Sequence, residues 1–364
     1  MTPRARSLTA VLALGGALAL SACESSSSSS SGAPAGDQAS GGARSGTIAF
    51  LMPDLASTRY EQQDRPLFEA KVGELCPDCE VFYANADADA AQQQQQANSA
   101  LAQGVAAIVL DAVDSAAAAS IVAAAQAQQV PVIAYDRPIP DRPADFYVSF
   151  DNEAIGESIA RSLVEELDRR GVQGGILQVN GSPTDAAAGL IRDGVSGVVD
   201  ASKYQVLAEY DTPGWQPPEA QNFVAGQITR FRDQIVGVVA ANDGTGGASI
   251  AAFKAGGVAT VPPVTGNDAE IAAVQRIVAG DQYNTISKPI SIVAEAAAEV
   301  AYAFVQGQEP AGETTLFETP TRLFEPTVVT RDNLKQVIVD GGIYTAAQIC
   351  TAEYAAGCTA LGIQ

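Results

Sequence analysis

The stretch from Ala106 to Asp136, "AAIVLDAVDSAAAASIVAAAQAQQVPVIAYD", contains the pattern that decides the fold. It begins with "AAIVLD" and ends with "PVIAYD", two short apolar runs that stop at an aspartate. Strands buried on both faces of a parallel sheet have this continuous apolar pattern. The alanine-rich segment between them, Ser115 to Gln129, favours a helix. A strand, a helix and a second strand in this order predict two parallel strands joined by a helical crossover.

The same two kinds of segment alternate on both sides of this unit. Upstream they are "TIAFLM", the helix 61–75, "EVFYA" and the helix 88–103. After "FYVSFDN" the pattern starts again with the helices 153–170, 186–199, 218–230, 244–255 and 269–279, separated by the strands "GILQVN", "YQVLAEY", "IVGVVAAN" and "VPPVTG". This alternation predicts an α/β fold with helices on both faces of parallel sheets. Two successive sets predict two doubly wound lobes, joined near Phe150 by short hinge segments.

The helix 88–103 contains a run of five glutamines, Gln92 to Gln96. Such a run can mark a low-complexity segment. Within an alanine-rich helix we interpret it instead as a solvated face.

The composition excludes several classes of function. The 364 residues are 47% hydrophobic and only 17% charged, which favours a folded chain. A net charge of −21 argues against nucleic-acid binding, since phosphate neutralisation requires clustered Lys and Arg. The chain has no histidine, which disfavours Ser-His-Asp, Cys-His and zinc-hydrolase chemistry, and we expect no metal or other cofactor. Catalysis by carboxylates alone remains open.

The amino terminus has the pattern of an export signal. Arg4 and Arg6 precede an apolar segment, 8–20, that is too short to be a comfortable membrane span. It leads into "LSAC", which resembles a bacterial lipobox, so we expect residues 1–22 to be a signal peptide and Cys23 to be lipidated. The alternative is an ordinary cleaved signal followed by an incidental cysteine. Residues 23–46, rich in Ser, Gly and Ala, are then expected to be a disordered tether.

Export also determines how the remaining cysteines are interpreted. Cys76 and Cys79 form one local pair, "CPDC", and Cys350 and Cys358 form another. In an exported chain each pair is expected to form a structural disulfide. A redox or metal half-site at "CPDC" is the alternative, but this motif lies between a predicted helix and a predicted strand rather than at the start of a thioredoxin-like helix.

Hydrogen-bonding side chains follow the predicted strands at their carboxyl ends, where open parallel sheets bind ligands. In the first lobe, Arg59 and Tyr60 follow "TIAFLM", and Asp136 and Arg137 follow "PVIAY". In the second lobe the corresponding residues are Trp215 in "DTPGW", Asn242 in "NDG", Asp268 in "NDAE" and Lys288 in "DQYNTISKP". Carboxylates, amides and cations bind sugar hydroxyls, and aromatic rings cover the C–H faces of a sugar. This set of side chains therefore predicts a sugar site rather than a phosphate site.

Several of these residues also have explanations that need no ligand. Asp136 and Arg137 could form an ion pair with each other at the end of a strand. Trp215 could anchor a surface loop, and Lys288 could be a solvated charge near a hinge. The convergence of all of them at strand ends favours the ligand site.

The turn after "IVGVVAAN" has two further interpretations. Asn242 and Asp243 precede a predicted helix, and we expect Asp243 to cap that helix and Asn242 to serve both as a cap and as a ligand. The glycines of "GTGG" (244–247) could indicate a dinucleotide site, but Ser249 takes the last glycine position of that motif. Asp243 would also repel a pyrophosphate, so a dinucleotide-binding module is rejected.

Taken in order, these motifs resemble a known family. From Thr47 to the end, the chain resembles the type I periplasmic-binding-protein family of ABC sugar importers, and most closely its xylose-binding branch. The motifs that carry the resemblance are "AYDRPI", "FYVSFDNEAIGE", "NGSPTD", "DTPGW", "AANDGTGGA", "VTGNDAEIAAVQRIVAG" and "SKPI". The resemblance implies that the eight strand-end residues named above contact the sugar. We expect an N-terminal lobe of residues 47–150 with about 289–322, and a C-terminal lobe of 151–288 with about 323–364.

The chain departs from the family pattern at two places. After the Asp of "GSPTD" the family usually has two asparagines, one of them a ligand, where this chain has Ala186 and Ala187. A tryptophan commonly follows the first arginine, where this chain has Tyr60. A lost amide leaves either a sugar hydroxyl to water or a smaller, drier pocket. Sites that bind hydroxyls discriminate strongly, so the sequence does not identify the sugar.

The export signal, the lipobox-like "LSAC" and the tether predict a protein that is lipid-anchored on the outer face of the cytoplasmic membrane, and the resemblance implies that it is an extracytoplasmic receptor. It would bind D-xylose or a related aldopentose or aldohexose, close by hinge bending, and as a monomer deliver the sugar to an ABC permease. A sensor that passes the closed form to a membrane signalling receptor is also compatible. A glycosidase using Asp136 and Asp268 is less favoured, because Arg137 would lower the pKa of Asp136. We expect no enzymatic activity, and we expect removal of Asp136 or Arg137 to weaken sugar binding far more than the fold.

Overall fold

The computed structural model describes residues 44–364. The predicted signal peptide, the predicted lipidation site Cys23 and nearly all of the predicted tether lie outside the described residues. The described residues belong to one compact unit. No helix within them is long and apolar enough to cross a membrane.

Strands and helices alternate along the described residues. The strands are β1 (Thr47–Met52), β2 (Glu80–Asn85), β3 (Ala107–Leu110), β4 (Val132–Tyr135), β5 (Phe146–Phe150), β6 (Gly175–Asn180), β7 (Gln205–Asp211), β8 (Ile235–Ala240), β9 (Asn284–Ser287), β10 (Thr314–Leu316), β11 (Thr319–Phe324) and β12 (Thr327–Thr330). The α-helices are α1 (Arg65–Leu75), α2 (Ala90–Ala102), α3 (Ala118–Gln126), α4 (Asn152–Arg170), α5 (Ala186–Asp200), α6 (Pro217–Phe231), α7 (Asp243–Ala255), α8 (Ile271–Ala279), α9 (Ile290–Val305), α10 (Ala346–Ile349) and α11 (Ala355–Ala360). A π-helical turn, Tyr60–Asp64, leads into α1, and a short 3-10 turn, Pro213–Trp215, precedes α6.

Seven strands form the sheet of the first lobe, in the order β10-β11-β5-β4-β3-β1-β2. All neighbouring pairs are parallel except β10 with β11. Strand β1 shows how the sheet is covered: Ile48 and Phe50 pack with α1 and α9, whereas Ala49 and Leu51 pack with α2 and α3. Successive side chains of a strand point to opposite faces, so a continuous apolar run is buried on both. The first lobe is therefore a doubly wound sheet.

The second lobe contains the parallel sheet β7-β6-β8 and the antiparallel pair β12-β9. Helices α4 and α5 pack on one face of the parallel sheet, and α6 and α7 pack on the other. The predicted strand at 261–266 is wrong in extent, because only Val264 joins the sheet, through a single bridge to Val238. Pro262 and Pro263 precede it and lack the N–H groups that a strand ladder requires.

The chain passes between the two lobes three times. It leaves the seven-stranded sheet after β5, returns after β9 to form α9, and leaves again after β11. Strand β11 pairs with β5 up to Phe324, so the last passage lies just beyond the expected limit near residue 322.

One of the five glutamines is buried, so the interpretation of the whole run as a solvated face is wrong at that position. Gln93 is only 2% exposed. Its Nε2 donates to the carbonyl of Asp111 at 2.7 Å, and its Oε1 accepts from the N–H of Val113 at 2.9 Å. Gln93 thereby satisfies the carbonyl of Asp111 and the N–H of Val113, just past the end of β3.

The described residues contain two disulfides, one between α1 and β2 and the other near the carboxyl terminus. Cys76–Cys79 links the end of α1 to the start of β2, and Cys350–Cys358 links the end of α10 to α11. Each bond closes a short local loop, so each constrains one turn rather than the arrangement of the lobes.

Helix α5 offers a matched test of how closely it packs on α4. A Cβ at Gly194 would overlap the backbone of Glu153 in α4, whereas a Cβ at Gly197, on the exposed face of α5, would meet nothing within 4 Å. We expect Gly194→Ala to lower the free energy of unfolding by about 1–3 kcal/mol through overpacking. Gly197→Ala should raise it by about 0.5–1 kcal/mol, because alanine is the better helix former. Urea unfolding of both variants measures this, and equal effects would contradict the close contact.

Candidate functional site

A cavity lies where the carboxyl ends of the strands of the two lobes face each other. It is a narrow cavity, with a volume of about 30 Å³. The structure brings all eight predicted residues to this cavity: Arg59, Tyr60, Asp136, Arg137, Trp215, Asn242, Asp268 and Lys288. Six further residues complete its lining: Ser57, Asn152, Asp185, Ala187, Ile191 and Asn267.

Four of the lining residues form a ring of alternating charge, called here the charge ring. Arg59 Nη2 donates to Asp136 Oδ2 at 2.5 Å, and Arg59 Nε lies 3.8 Å from Asp268 Oδ1. Lys288 Nζ lies 2.8 Å from Asp268 Oδ1 and 3.9 Å from Asp136 Oδ1. Arg59 and Asp136 follow strands of the first lobe, and Asp268 and Lys288 come from the second. The charge ring therefore joins the two lobes.

The charge ring keeps Asp136 ionised. Burial raises the pKa of this carboxyl, but the Arg59 guanidinium and the Lys288 ammonium outweigh burial and lower its pKa to about 2. Behind Arg59, Asp64 accepts from Arg59 Nη1 at 3.1 Å and from the hydroxyl of Tyr135 at 2.6 Å. Arg59 is thus held between two carboxylates of its own lobe, which orients it in the absence of a ligand.

Arg137 contacts a different set of carboxylates. Its Nη2 donates to Asp54 at 2.8 Å, and its Nε lies 3.1 Å from Asp185 and 3.3 Å from Asp111. Its Nη1 donates to the carbonyl of Ala112 at 2.9 Å. Burial raises the pKa of Asp111 and of Asp185, and Arg137 offsets only part of that rise. Since Asp185 belongs to the second lobe, Arg137 is a second ionic link between the lobes.

Asp136 and Arg137 therefore have separate partners, rather than the mutual ion pair that their adjacency suggested. The carbonyl of Asp136 accepts hydrogen bonds from the hydroxyls of Tyr147 at 2.9 Å and Ser149 at 2.8 Å. These bonds hold the backbone so that one side chain enters the charge ring and the other reaches Asp54, Asp111 and Asp185.

Tyr60 lies between the two arginines and is 2% exposed. The guanidinium carbon of Arg59 is 4.7 Å from the centre of its ring, and that of Arg137 is 5.9 Å away, both within cation–π distance. Its hydroxyl donates to Asp136 at 3.3 Å and accepts from Arg137 at 3.2 Å. Tyr60 therefore connects the charge ring to Arg137 through its hydroxyl, a role that the sequence did not predict for it.

Trp215 is buried, so the explanation of it as a surface-loop anchor is wrong. Its indole Nε1 donates to Asp185 Oδ2 at 2.9 Å, and the side chain is 7% exposed. A Cβ at Gly181 would overlap the far edge of the indole ring. The glycine after β6 is therefore required for the indole to lie against the cavity.

Asn242, and not Asp243, is the N-cap of α7. Asn242 Oδ1 accepts from the N–H of Thr245 at 2.9 Å, while its Nδ2 has no hydrogen-bond partner within residues 44–364. Asp243 is buried inside the first turn, where it accepts from the N–H of Glu270 at 2.9 Å and from Gln282 Nε2 at 2.8 Å. The expectation that Asp243 caps the helix is wrong, because its carboxylate links α7 to neighbouring segments of the lobe.

Three site residues have a left-handed backbone, which residues other than glycine rarely adopt. They are Asp136 (φ 59°), Trp215 (φ 57°) and Asp268 (φ 102°). Such conformations cost about 1–3 kcal/mol each and persist where surrounding contacts hold them. The N–H of Asp136 donates to Val148, and that of Asp268 to Ile286, at 3.0 and 3.1 Å. Their concentration at one cavity indicates a site whose geometry outweighs local strain.

The two lobes also make hydrogen bonds to each other outside the charge ring and the partners of Arg137. The N–H and hydroxyl of Thr58 both donate to Glu270 Oε1, at 2.9 and 3.0 Å. The N–H of Ser115 donates to the carbonyl of Thr184 at 2.9 Å, and the Ser115 hydroxyl accepts from the N–H of Ala186 at 3.0 Å. These contacts describe a closed arrangement of the lobes around the cavity.

The sequence reasoning missed several lining residues. Asp185 ends "GSPTD" directly after β6, and Asn152 follows β5, so the strand-end rule that found the others applied to both. Asn267 precedes Asp268 and carries the same signal. No sequence signal pointed to Ile191, because an isoleucine on a helix is most simply a core residue.

The carboxylates around the cavity are paired with arginine and lysine. No group of Cys, Asp and Glu side chains within residues 44–364 has an arrangement that could hold a metal ion.

The sequence of residues 48–309 matches the family described as the periplasmic binding protein domain. The chain belongs to the periplasmic-binding-protein family. It is 34% identical over 310 residues to the D-xylose-binding periplasmic protein of Escherichia coli (strain K12), covering 83% of this chain and 92% of that protein. It is 27% identical over 329 residues to a multiple sugar-binding periplasmic receptor of Rhizobium radiobacter, covering 84% of this chain and 92% of that protein.

Solved structures share the architecture of this periplasmic binding protein. An ABC transporter solute-binding protein from Clostridium phytofermentans with bound β-D-glucose has a TM-score of 0.75 and 26% identity, covering 83% of this chain and 99% of that one. A carbohydrate transporter solute-binding protein from Chloroflexus aurantiacus in complex with D-glucose has a TM-score of 0.76 and 26% identity, covering 84% and 98%. The predicted two-lobed fold of type I periplasmic binding proteins is confirmed.

Asp136 gives the stability of the chain a defined pH dependence. The pKa of this carboxyl falls from its ordinary value of 3.8 to about 2 in the folded chain. A lowered pKa stabilises the folded state above the unfolded-state pKa, and this stabilisation is lost as the pH falls toward the folded-state pKa. We expect the difference in unfolding free energy between wild type and Asp136→Asn to be constant above about pH 4 and to shrink between about pH 4 and pH 2. Denaturant titrations of both proteins at matched pH measure it, and an undiminished difference at pH 2 would contradict the assignment.

Proposed function

We propose that this periplasmic binding protein is a receptor for a monosaccharide, D-xylose or a related aldopentose or aldohexose, which it delivers to an ABC-type importer. The observation that carries the proposal is the charge ring, in which two carboxylates and two cations from both lobes line one cavity. A ligand drives closure only through contacts that need both lobes, and the charge ring offers such contacts.

The polar groups of the cavity suit the hydroxyls of a sugar. Each hydroxyl both donates and accepts a hydrogen bond, so alternating carboxylates and cations can bind adjacent hydroxyls with charge assistance. The Nδ2 of Asn242, which has no hydrogen-bond partner within residues 44–364, supplies a further donor. The indole ring of Trp215, which lines the cavity, offers an apolar surface to the C–H groups of a sugar.

The charges of the cavity favour a neutral ligand. The charge ring holds two carboxylates and two cations, whereas Arg137 faces three carboxylates. A phosphorylated sugar would add negative charge beside carboxylates that already outnumber their partners. This balance supports a free monosaccharide over a sugar phosphate or an acidic ligand.

The relatives named above also support a location outside the cytoplasm and a membrane permease as the partner. They are periplasmic proteins, so we place this chain outside the cytoplasm, with the lipid on Cys23 and the tether 23–46 as its only contact with the membrane. The two lobes, 47–150 with about 289–322 and 151–288 with about 323–364, would close as a monomer and present the closed form to permease subunits. Neither nucleic acid nor a cofactor has a part in this function.

Binding without catalysis is part of the proposal. The relatives named above are binding proteins. A retaining or inverting glycosidase needs one carboxylic acid with a raised pKa as its acid catalyst. The pKa of Asp136 is instead lowered to about 2, because Arg59 and Lys288 outweigh its burial. Burial raises the pKa of Asp185, which also lines the cavity, but both of its oxygens already have partners in Ala187, Trp215 and Arg137. Asp136 is suited to accept hydrogen bonds and unsuited to donate a proton at neutral pH.

Calorimetric titration of the exported protein with aldopentoses and aldohexoses tests the proposed function. We expect one or more of these sugars to bind and to make the protein more compact in small-angle X-ray scattering. Chromatography after a long incubation should recover the sugar unchanged. The proposal fails if no sugar of the panel binds, and recovery of a cleaved or rearranged sugar would replace it with an enzymatic function.

A further inference from the structure

One stretch of the cavity wall is apolar, and it is formed by helix α5. Ala187 and Ile191 line the cavity there and are 5% and 3% exposed. They lie four residues apart on α5, so their side chains share one face of the helix. Neither side chain can donate or accept a hydrogen bond.

Asp185, which also lines the cavity at the start of α5, does not make this stretch polar. Its Oδ1 accepts from the N–H of Ala187 at 2.8 Å, where it caps the helix. Its Oδ2 accepts from Trp215 Nε1 at 2.9 Å and lies 3.1 Å from Arg137 Nε. Both oxygens of Asp185 therefore have protein partners, and the ligand-facing surface of α5 is left to Ala187 and Ile191.

The unused hydrogen-bonding capacity of the cavity lies at the strand ends instead. Asn267 is 2% exposed, and its Oδ1 has no hydrogen-bond partner within residues 44–364. The Nδ2 of Asn242 is also without a partner there. Lys288 Nζ has three hydrogens but, among the same residues, one ion pair shorter than 3.5 Å, to Asp268. A ligand that satisfies these groups turns its hydroxyls toward the strand ends and another part of its surface toward α5.

We infer that the sugar presents to α5 a carbon that carries no hydroxyl: a ring methylene, a methyl group or a deoxy carbon. The inference rests on the proposed sugar-binding function and makes Ala187 and Ile191 its specificity determinants. A hydroxyl placed against these two side chains loses its bound water and finds no partner, whereas a C–H group packs against them without such a loss. The ligand class is therefore a monosaccharide that lacks one hydroxyl relative to a fully hydroxylated aldohexose.

Pairs of sugars that differ by one hydroxyl or one hydroxymethyl group test this inference. The pairs are D-glucose with 6-deoxy-D-glucose, D-glucose with 2-deoxy-D-glucose, D-ribose with 2-deoxy-D-ribose, and D-glucose with D-xylose. Calorimetry on wild type should show, for at least one pair, about ten-fold or tighter binding of the member that lacks the group. Ala187→Asn should reduce that preference at least about ten-fold, because its amide gives the hydroxyl a partner.

Ala186→Asn is the matched control, because Ala186 is the neighbouring residue of α5, is half-buried and does not line the cavity. We expect this variant to leave the preference within every pair unchanged. Ala187→Ser is a smaller second variant that should move the preference in the same direction as Ala187→Asn if the larger side chain disturbs the fold.

Two results would overturn the inference while leaving the proposed function intact. One is wild-type binding in which every pair favours the hydroxylated member. The other is a set of pair preferences that Ala187→Asn and Ala187→Ser leave unchanged. Absence of binding to every sugar in wild type is a different result, since it overturns the proposed function and this inference with it.

Discussion

Replacing Arg137 with methionine is expected to lower the free energy of unfolding by about 3–5 kcal/mol, the range for removing one partner of a buried ion pair. The variant leaves Asp54, Asp111 and Asp185 buried without their cation. Asp111 is fully buried, and neither of its carboxylate oxygens has a hydrogen-bond partner within residues 44–364. Methionine keeps the volume of the side chain, so the loss measures charge rather than packing. Urea unfolding in the absence of sugar measures the effect.

Arg161→Met is the control for the loss of an arginine. Arg161 is exposed and pairs with the exposed Glu157, so this variant should change the unfolding free energy by less than about 1 kcal/mol. The double variant Asp111→Asn/Arg137→Met should recover part of the loss, since it removes one uncompensated carboxylate. Equal stability of Arg137→Met and Arg161→Met would show that the buried carboxylates are neutralised in another way. The three buried partners of Arg137 thus add an expected loss of stability to the expected loss of sugar binding on its removal.

Asp136→Asn is expected to weaken sugar binding about 100-fold, within the range for truncating one partner of a buried, hydrogen-bonded charge pair. Asparagine keeps the shape of the side chain and tolerates the left-handed backbone at this position. It removes the charge that pairs with Arg59 and Lys288 and replaces one acceptor oxygen by a donor. Sugar hydroxyls that donate to the carboxylate then meet an N–H group. Calorimetry with the sugar that binds wild type most tightly measures the loss.

Asp281→Asn is the matched control for the loss of a carboxylate. Asp281 pairs with the exposed Lys254 and does not line the cavity, so we expect unchanged sugar affinity. Circular dichroism and thermal unfolding of both variants show whether the fold is retained. An Asp136→Asn protein that is folded and binds sugar as tightly as wild type would remove Asp136 from the site.

The sequence predicted the architecture because the signals for it are local. The apolar runs that became β1, β3 and β4 and the alanine-rich helices between them specify a parallel sheet covered on both faces. The strand-end rule placed all eight predicted residues around one cavity, since parallel strands bring their carboxyl ends to one edge. The predicted strand was wrong in extent at Pro262 and Pro263, but Asp268 beyond it still lies at the cavity.

Pairing between side chains could not be predicted in the same way. Asp136 and Arg137 are neighbours in sequence, yet one enters the charge ring and the other binds Asp54, Asp111 and Asp185. In sequence, Gln93 is one of five equivalent glutamines. In the structure it is buried, because its amide group bonds to the backbone of Asp111 and Val113 after β3.

By itself, the sequence determined the two-lobed α/β architecture, the edge of each sheet that carries the site, and the residue types available there. Local hydrophobic pattern is sufficient for these, because it is set by neighbours along the chain. Only the tertiary structure decided which charges neutralise one another, that Arg137 and the charge ring join the lobes, and that α5 presents Ala187 and Ile191 to the cavity. Those features depend on distances between residues far apart in sequence, and burial makes their charges interact strongly once folding has brought them together.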